Sequence, residues 1–317
     1  MQPEISAPVD GPAYRPYRWA AADFQLGLRR IPPESWILLG AGHRETMRQK
    51  RARLAEHPSY YYRTLPESLP AQRELRARVT THLLSDHPRS FVAHGSRIIS
   101  LLTGHSVDLA DTSIEPLLQL SQLIEEDFML LEVAEGAPRI TAASNAYSSS
   151  GRLAASVGHD VAWAHEPVPG LTSMLGGRIS RVLGSIQAAI PCERFNWQVT
   201  PMGSVFFPHA DPHAANAAAM HAVAEALRRD PGRAGELLWM RVERQTLSRL
   251  PDTNAVAFSL HTYSDPLSCL QSDVASARAI LALLHGYSED RWRYSEMDIV
   301  REPLMHWLAR AASPAPA

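Results

Sequence analysis

The chain has 317 residues, 45% of them hydrophobic, enough to bury a substantial core in one large domain or two small ones. Its 31 Lys and Arg stand against 33 Asp and Glu, a formal charge of −2, so no basic excess exists to displace counterions from nucleic acid. No apolar run approaches the roughly 20 residues that cross a bilayer, the opening Met1–Pro8 lacks a basic stretch before an apolar core, and the two cysteines, Cys192 and Cys269, make neither a disulfide framework nor a paired thiolate metal motif. The expectation is a cytoplasmic globular protein that engages neither nucleic acid nor membrane.

Residues 1–15 and 312–317 are rich in Pro and Ala and read as flexible ends around one domain over 16–311. The spacing of Leu75, Val79 and Leu83 predicts a helix over 66–86. Pro116 suits the first turn of a second helix carrying Leu117, Leu120, Leu123 and Ile124. Phe128–Val133 reads as a buried strand, with Arg139–Ala143 its partner across the Glu135–Pro138 turn. Leu171, Leu175, Ile179, Val182 and Ile186 mark an amphipathic helix with Arg178 and Arg181 near its flank. Asp211 and Pro212 open a small-residue helix over 214–227 as cap and first turn. Leu237–Leu247 and Ala255–Tyr263 read as a strand and its return across Pro251–Asn254, and Val274–Leu284 as a last helix. The sum is an α+β protein, an antiparallel sheet with helices gathered around it.

Three stretches carry residues suited to chemistry. His165 lies in Trp163–Gly170, where Pro167 and Pro169 fix the backbone just after it and keep it out of a regular helix. A rigid loop holds an imidazole at the constant angle a metal ligand requires, and haem iron takes a neutral imidazole. A turn histidine bonded to its own loop fits the same residues. The second stretch, His209-Ala-Asp211-Pro-His213, resembles the start of a two-histidine, one-carboxylate iron site with His261 as a further ligand. It runs directly into the alanine-rich helix, which favours Asp211 as an N-cap. Third, Arg241–Pro251 is a strand dense in long polar side chains. Alternation puts Arg241, Glu243 and Gln245 on one face, Arg244 and Thr246 on the other. Either the strand faces solvent, or one row faces a pocket where a buried carboxylate is paired, for instance with a protonated amine. No phosphate loop, dinucleotide glycine fingerprint or serine-nucleophile elbow is present.

Several segments, in order, resemble the haem-dependent oxidative N-demethylase alpha-subunit-like family. They are Phe24–Leu28 with Trp36, Glu126-Asp127 before an apolar strand, the His165–Gly170 loop, Arg194–Trp197, the long Arg241–Pro251 segment, and Thr262-Tyr263. The resemblance spans roughly residues 15–310. It implies a PAS-like antiparallel sheet surrounded by helices and holding haem b. It makes His165 the proximal iron ligand and sets the Arg241–Arg249 strand beside the distal pocket. There Glu243 would accept from an amine, and Arg244 or Gln245 would act as polar donors to bound dioxygen. Alternation lets Glu243 and Arg244 both point inward only with a bulge, and Glu243 is preferred. Arg178, Arg181 and Arg194 are the candidates for the haem propionates, though a solvent-facing helix uses arginines as readily. The chain departs from the family pattern at Ser144–Leu153, where an aromatic-rich stretch with a Trp and a following Lys is absent, and at Tyr294-Ser295, where a Tyr-Lys pair is expected. Those departures point to a substrate other than dimethylamine.

The function implied is a haem-dependent oxidase or monooxygenase that removes a methyl or other alkyl carbon from an amine-like small molecule with O2. Electrons would come from a partner flavin or iron–sulfur reductase, since this chain has no nucleotide motif and only two cysteines. The rivals are a non-enzymatic haem gas sensor, a non-haem iron oxygenase built on His209, Asp211 and His261, and a haem-free structural subunit.

Overall fold

A computed structural model describes residues 14, 27–133, 138–147, 152–165, 181–188, 190–207 and 211–313; at 152, 153, 164 and 165 the backbone alone is described. The chain forms two compact units, each assembled from separated stretches of sequence. One comprises 1–27, 194–244 and 262–317, the other 28–193 and 245–261. Ten strands occur among the described residues: β1 (Arg29–Arg30), β2 (Tyr62–Thr64), β3 (Phe91–His94), β4 (Arg97–Ser100), β5 (Ser106–Asp108), β6 (Asp127–Glu132), β7 (Arg139–Ser144), β8 (Cys192–Thr200), β9 (Trp239–Arg249) and β10 (Val256–Pro266).

The unit containing residues 28–193 holds a seven-stranded sheet in the order β1-β8-β9-β10-β6-β7-β2, to which β8, β9 and β10 each contribute one end. Pairing is antiparallel where β6 meets β10 (Phe258 opposite Met129) and β7 (Met129 opposite Ala143). The run Phe128–Leu131 is apolar at every position because both faces of β6 are covered. Phe128 and Leu130 pack with Leu75, Val79, Leu83, Leu117, Leu120 and Ile124, whereas Met129 and Leu131 pack with Ile140, Ala143, Leu247 and Val256. β9 returns as β10 through a tight turn in which the Leu250 N–H donates to Ala255 O at 2.8 Å and Asn254 takes a φ of 60°. Helices His43–Glu56 and Leu69–Asp86 and a three-stranded sheet, β3-β4-β5, complete this unit.

In the other unit, alternation along β8 sends Trp197 and Val199 into a core and leaves Arg194, Asn196 and Gln198 on the opposite row. That core is built with Met240 and Val242 of β9 and with helices Pro212–Arg229, Val274–His285 and Arg301–Ala311, through Met220, Ala224, Ile280, Leu284, Leu304 and Trp307. Asp211 caps its helix by accepting from the Ala214 N–H at 2.9 Å, and Asp273 caps the next by accepting from the Ser276 N–H at 3.1 Å.

The α+β class is as the sequence implies, and the elements read from periodicity are present with shifted ends. The second helix stops at Ser121, so Leu123 and Ile124 are buried beyond its end rather than on it. Of the helix expected over 171–186, residues 181–185 are helical and 171–180 lie outside the described residues, as does the turn at 134–137. One reading is corrected. His165 is the last residue of a short helix, Val161–His165, rather than part of a non-helical loop. The physical reason is that Pro167 bars the α conformation only to the residue before it, Glu166, which leaves His165 free to close a helical turn.

Candidate functional site

In the unit containing residues 194–244, the row of β9 predicted to face a pocket carries a charged cluster. The Arg241 side chain is only 1% accessible. It is held on three sides: Nη1 donates to Val205 O at 2.8 Å, Nη2 lies 3.5 Å from Thr262 Oγ1, and the guanidinium sits 4.7 Å from the centre of the Phe207 ring. Its Nε lies 3.6 Å from Glu243 Oε1. Glu243 projects to the same side two residues on, with 18% of its side chain reachable from solvent, while Val242 between them is fully buried in the core.

Two further side chains feel this carboxylate. Burial lowers the Arg194 guanidinium below its ordinary value, and the negative charge of Glu243 opposes that shift. The Arg194 Nε is enclosed and has no hydrogen-bond partner among the described residues. Burial pushes the Tyr294 phenol up, and the charge of Glu243 pushes it further, although Tyr294 itself is half exposed. The cluster sets a partly accessible carboxylate beside the packed guanidinium of Arg241 and within the field of Arg194. Such an arrangement can hold a small charged ligand.

The remaining candidates fall in different places. Arg244 is fully buried and, as the next residue of an extended strand, projects away from the Glu243 side; Gln245 is partly buried. Arg181 is exposed at the start of the 181–185 helix. Arg178, His209 and the Glu166–Gly170 loop lie outside the described residues, and so does the side chain of His165. The Asp211 carboxylate serves as the helix cap and His213 is exposed. Neither Tyr294 nor Arg241 is among the site residues expected from the sequence. The alternation that groups Arg241 with Glu243 signals Arg241, and the Tyr294-Ser295 departure from the family's Tyr-Lys pair marks Tyr294 without giving it a role.

A second cluster, in the other unit, is sealed. Glu125, Glu126 and Asp127 stand in a row at the start of β6, all buried. Lys50, also fully buried, lies 2.9 Å from Asp127 Oδ1 and donates to the carbonyls of Ile124, Glu125 and Glu126 at 3.2, 3.1 and 2.7 Å. Burial alone would raise Glu125, but a 2.8 Å hydrogen bond with His43 Nδ1, the nearby charge of His261 and the Gly40 N–H outweigh it and hold the carboxyl low. Burial acts on Glu126 in the same way and is outweighed by His261, whose Nδ1 lies 3.3 Å away, and by the Leu38 N–H. Asp127 goes the other way, because burial raises it despite Lys50 and the Tyr147 N–H. His261 is thus enclosed between two glutamates, 3.9 Å from Glu125 Oε1 on its other nitrogen. Among the described residues no three His, Cys, Asp or Glu side chains come together as a metal site.

Among the described residues no helix is long and apolar enough to cross a membrane. The family model for the haem-dependent oxidative N-demethylase, alpha subunit-like, matches residues 27–305. That span contains both charged clusters, the helix ending at His165 and the whole β9–β10 hairpin. On this match over most of its length, the chain belongs to the haem-dependent oxidative N-demethylase, alpha subunit-like family.

Proposed function

We propose that this chain oxidatively removes a methyl or other alkyl carbon from a secondary or tertiary amine. The single observation that carries the reading within the family is Glu243, an acceptor partly open to solvent and packed against Arg241 on a strand anchored in the core. For an N-methyl amine the balanced change consumes O2, two electrons and two protons, and yields the demethylated amine, formaldehyde and water. Haem b, when bound, supplies the O2 chemistry.

The donor set suits such a group. His165 closes a helix immediately before a proline-rich segment and is the imidazole offered to the iron. Arg178 and Arg181 are the cations offered to the propionates. Arg194, whose Nε is enclosed without a hydrogen-bond partner among the described residues, is a third cation that suits a propionate. Glu243 accepts the N–H of the amine and fixes its orientation. Arg241, tied to Val205, Thr262 and Phe207, keeps the carboxylate from swinging. Gln245, on the same row, is a polar donor toward O2, and Arg244 supports the strand from its other side. The electrons come from a partner subunit carrying a flavin or iron–sulfur centre, in keeping with a family named for an alpha subunit.

The experiment is turnover. Haem-loaded protein, given a chemical or enzymatic reductant and a series of N-methyl amines, is expected to form formaldehyde in proportion to the O2 consumed. A haem protein that binds gases but shows no amine-dependent O2 uptake would instead be a sensor.

A further inference from the structure

The helix that ends at His165 has five residues, Val161–His165, too few to hold its shape without outside support. That support comes from the residues just before it. The Ile140 N–H donates to His159 O at 2.9 Å, the Gly158 N–H to Ile140 O at 2.8 Å and the Val161 N–H to Pro138 O at 3.0 Å, while Asp160 bridges to Arg139. Residues 158–161 are in this way stitched to β7. Gly158 makes the bend into the segment with a φ of 100°, which other residues adopt only under strain. Val157 and Val161 are buried in a core with Ile140 and Leu183. The helix is therefore anchored at its first residue, four positions before His165. Two side chains set how it leaves that anchor. Asp160 is its N-cap: Oδ1 accepts from the Trp163 N–H at 2.8 Å and so meets a donor that a helix start leaves open. The exposed His159 ring stacks on Trp163, with centroids 4.2 Å apart and planes 11° from parallel. That contact joins the residue before the cap to the third helical residue, and it fixes the angle at which the chain enters the helix.

We propose that Asp160 and the His159–Trp163 stack are positioning residues for the iron ligand, fixing through the backbone of 161–165 the place at which His165 is presented. The proposal rests on the haem reading and adds the residues that hold the ligand's helix. An axial imidazole has to be kept at constant distance and angle, and a ligand on a short element depends on its supporting contacts for that precision. A frayed first turn lets the last residue drift. The cost of losing the cap or the stack therefore falls on haem retention and on the ligand field of the iron. It does not fall on a core, since the His159 ring is exposed and Asp160 half-buried.

The test uses the full-length, haem-loaded protein, with haem release followed by transfer to excess apomyoglobin and the ligand field read from the absorption spectrum. Asp160→Ala is expected to release haem roughly fivefold faster than the wild type, the factor that one lost helix cap is worth, and to shift the Soret band in the direction of His165→Ala. Asp160→Asn keeps a capping oxygen and is expected to retain the wild-type rate and spectrum. His159→Ala is expected to speed release roughly two- to tenfold, the range of an aromatic pair. Because it removes an exposed ring, it keeps the test alive if Asp160→Ala does not fold. Unchanged release and spectrum in either folded alanine variant overturns the role of that residue. A change confined to the urea midpoint does so too, as does an Asp160→Asn variant that behaves like Asp160→Ala. A wild-type protein that takes up no haem removes the haem reading itself, and the proposal with it. Haem uptake with a spectrum that His165→Ala does not move removes the ligand assignment instead.

Discussion

The charged cluster at Glu125–Asp127 and the one at Glu243 use the same side-chain types toward opposite ends. In the first, three carboxylates, a lysine and two histidines are wholly enclosed; ring nitrogens, backbone N–H groups and an ammonium that also ties down three successive carbonyls meet most of the acceptors, while Glu126 Oε2 and His43 Nε2 have no hydrogen-bond partner among the described residues. In the second, the carboxylate is left partly in solvent beside a packed guanidinium. A sealed network positions β6 and its flanking helices, whereas an accessible carboxylate can be reached by a ligand. The contrast teaches that buried charge, even with unmet polar atoms, does not by itself mark a functional site; the opening to solvent is what separates the two clusters.

That distinction can be broken by mutation. Lys50→Met should cost about 3–5 kcal/mol in a urea unfolding experiment, because it leaves Asp127 as an uncompensated buried charge. A loss below about 1 kcal/mol would mean that the enclosed network is not structural. Glu243→Gln should shift the balance toward activity. Unfolding stability should fall by about 1–3 kcal/mol, less than for Lys50→Met because Arg241 keeps Val205 and Thr262, while kcat/KM for the amine falls by roughly 10- to 100-fold through loss of a charged hydrogen bond. A variant with normal amine turnover would remove Glu243 from the substrate role.

pH sharpens the comparison further. Burial holds His82 and His105 below their ordinary value, so the unfolded chain takes up protons first and stability should fall as pH drops from about 6.5. A His82→Gln, His105→Gln variant should flatten that upper part of the urea midpoint profile. Glu125 and Glu126, held low in the folded state, contribute stability that is complete above about pH 4.3 and is lost as pH falls through their folded values. Asp127, raised by burial, has the opposite sign and recovers part of the loss. A profile flat from pH 7 to 5 would contradict the histidine assignment, and one flat below pH 4 the glutamate assignment. The smallest effect belongs to Asp211→Ala. It should cost about 1 kcal/mol through the lost helix cap and leave the iron content unchanged; a fall in iron would revive an iron site built on His209, Asp211 and His261.

Much of the scaffold is legible in the sequence where packing follows simple periodicity. Leu75, Val79 and Leu83, the Pro116 and Asp211–Pro212 helix starts, and the β9–β10 hairpin are found as read, with ends displaced by a few residues. The helix His43–Glu56 escaped because its buried stripe is His43, Met47, Lys50 and Leu54: the spacing is helical, but half of the stripe is polar. Those two polar residues are the ones that answer Glu125 and Asp127, so the same feature hid both the helix and the network. Residues 125–127 gave a usable hint, three acids directly before an apolar strand, since buried carboxylates demand partners. Apart from the Tyr147 N–H, 20 positions on, those partners lie 75 or more positions away in sequence, out of reach of any local pattern. Within the open cluster, alternation correctly grouped Arg241 with Glu243, whereas the approach of Arg194 and Tyr294 is tertiary.

The central claim, a haem held through His165, is tested most directly by the absorption spectrum of protein expressed with a haem precursor, wild type beside His165→Ala. The account predicts a strong Soret band in the wild-type protein and its loss or a marked shift in the variant, with the unfolding profile retained. A wild-type protein without that band, or identical spectra for the two, would contradict it.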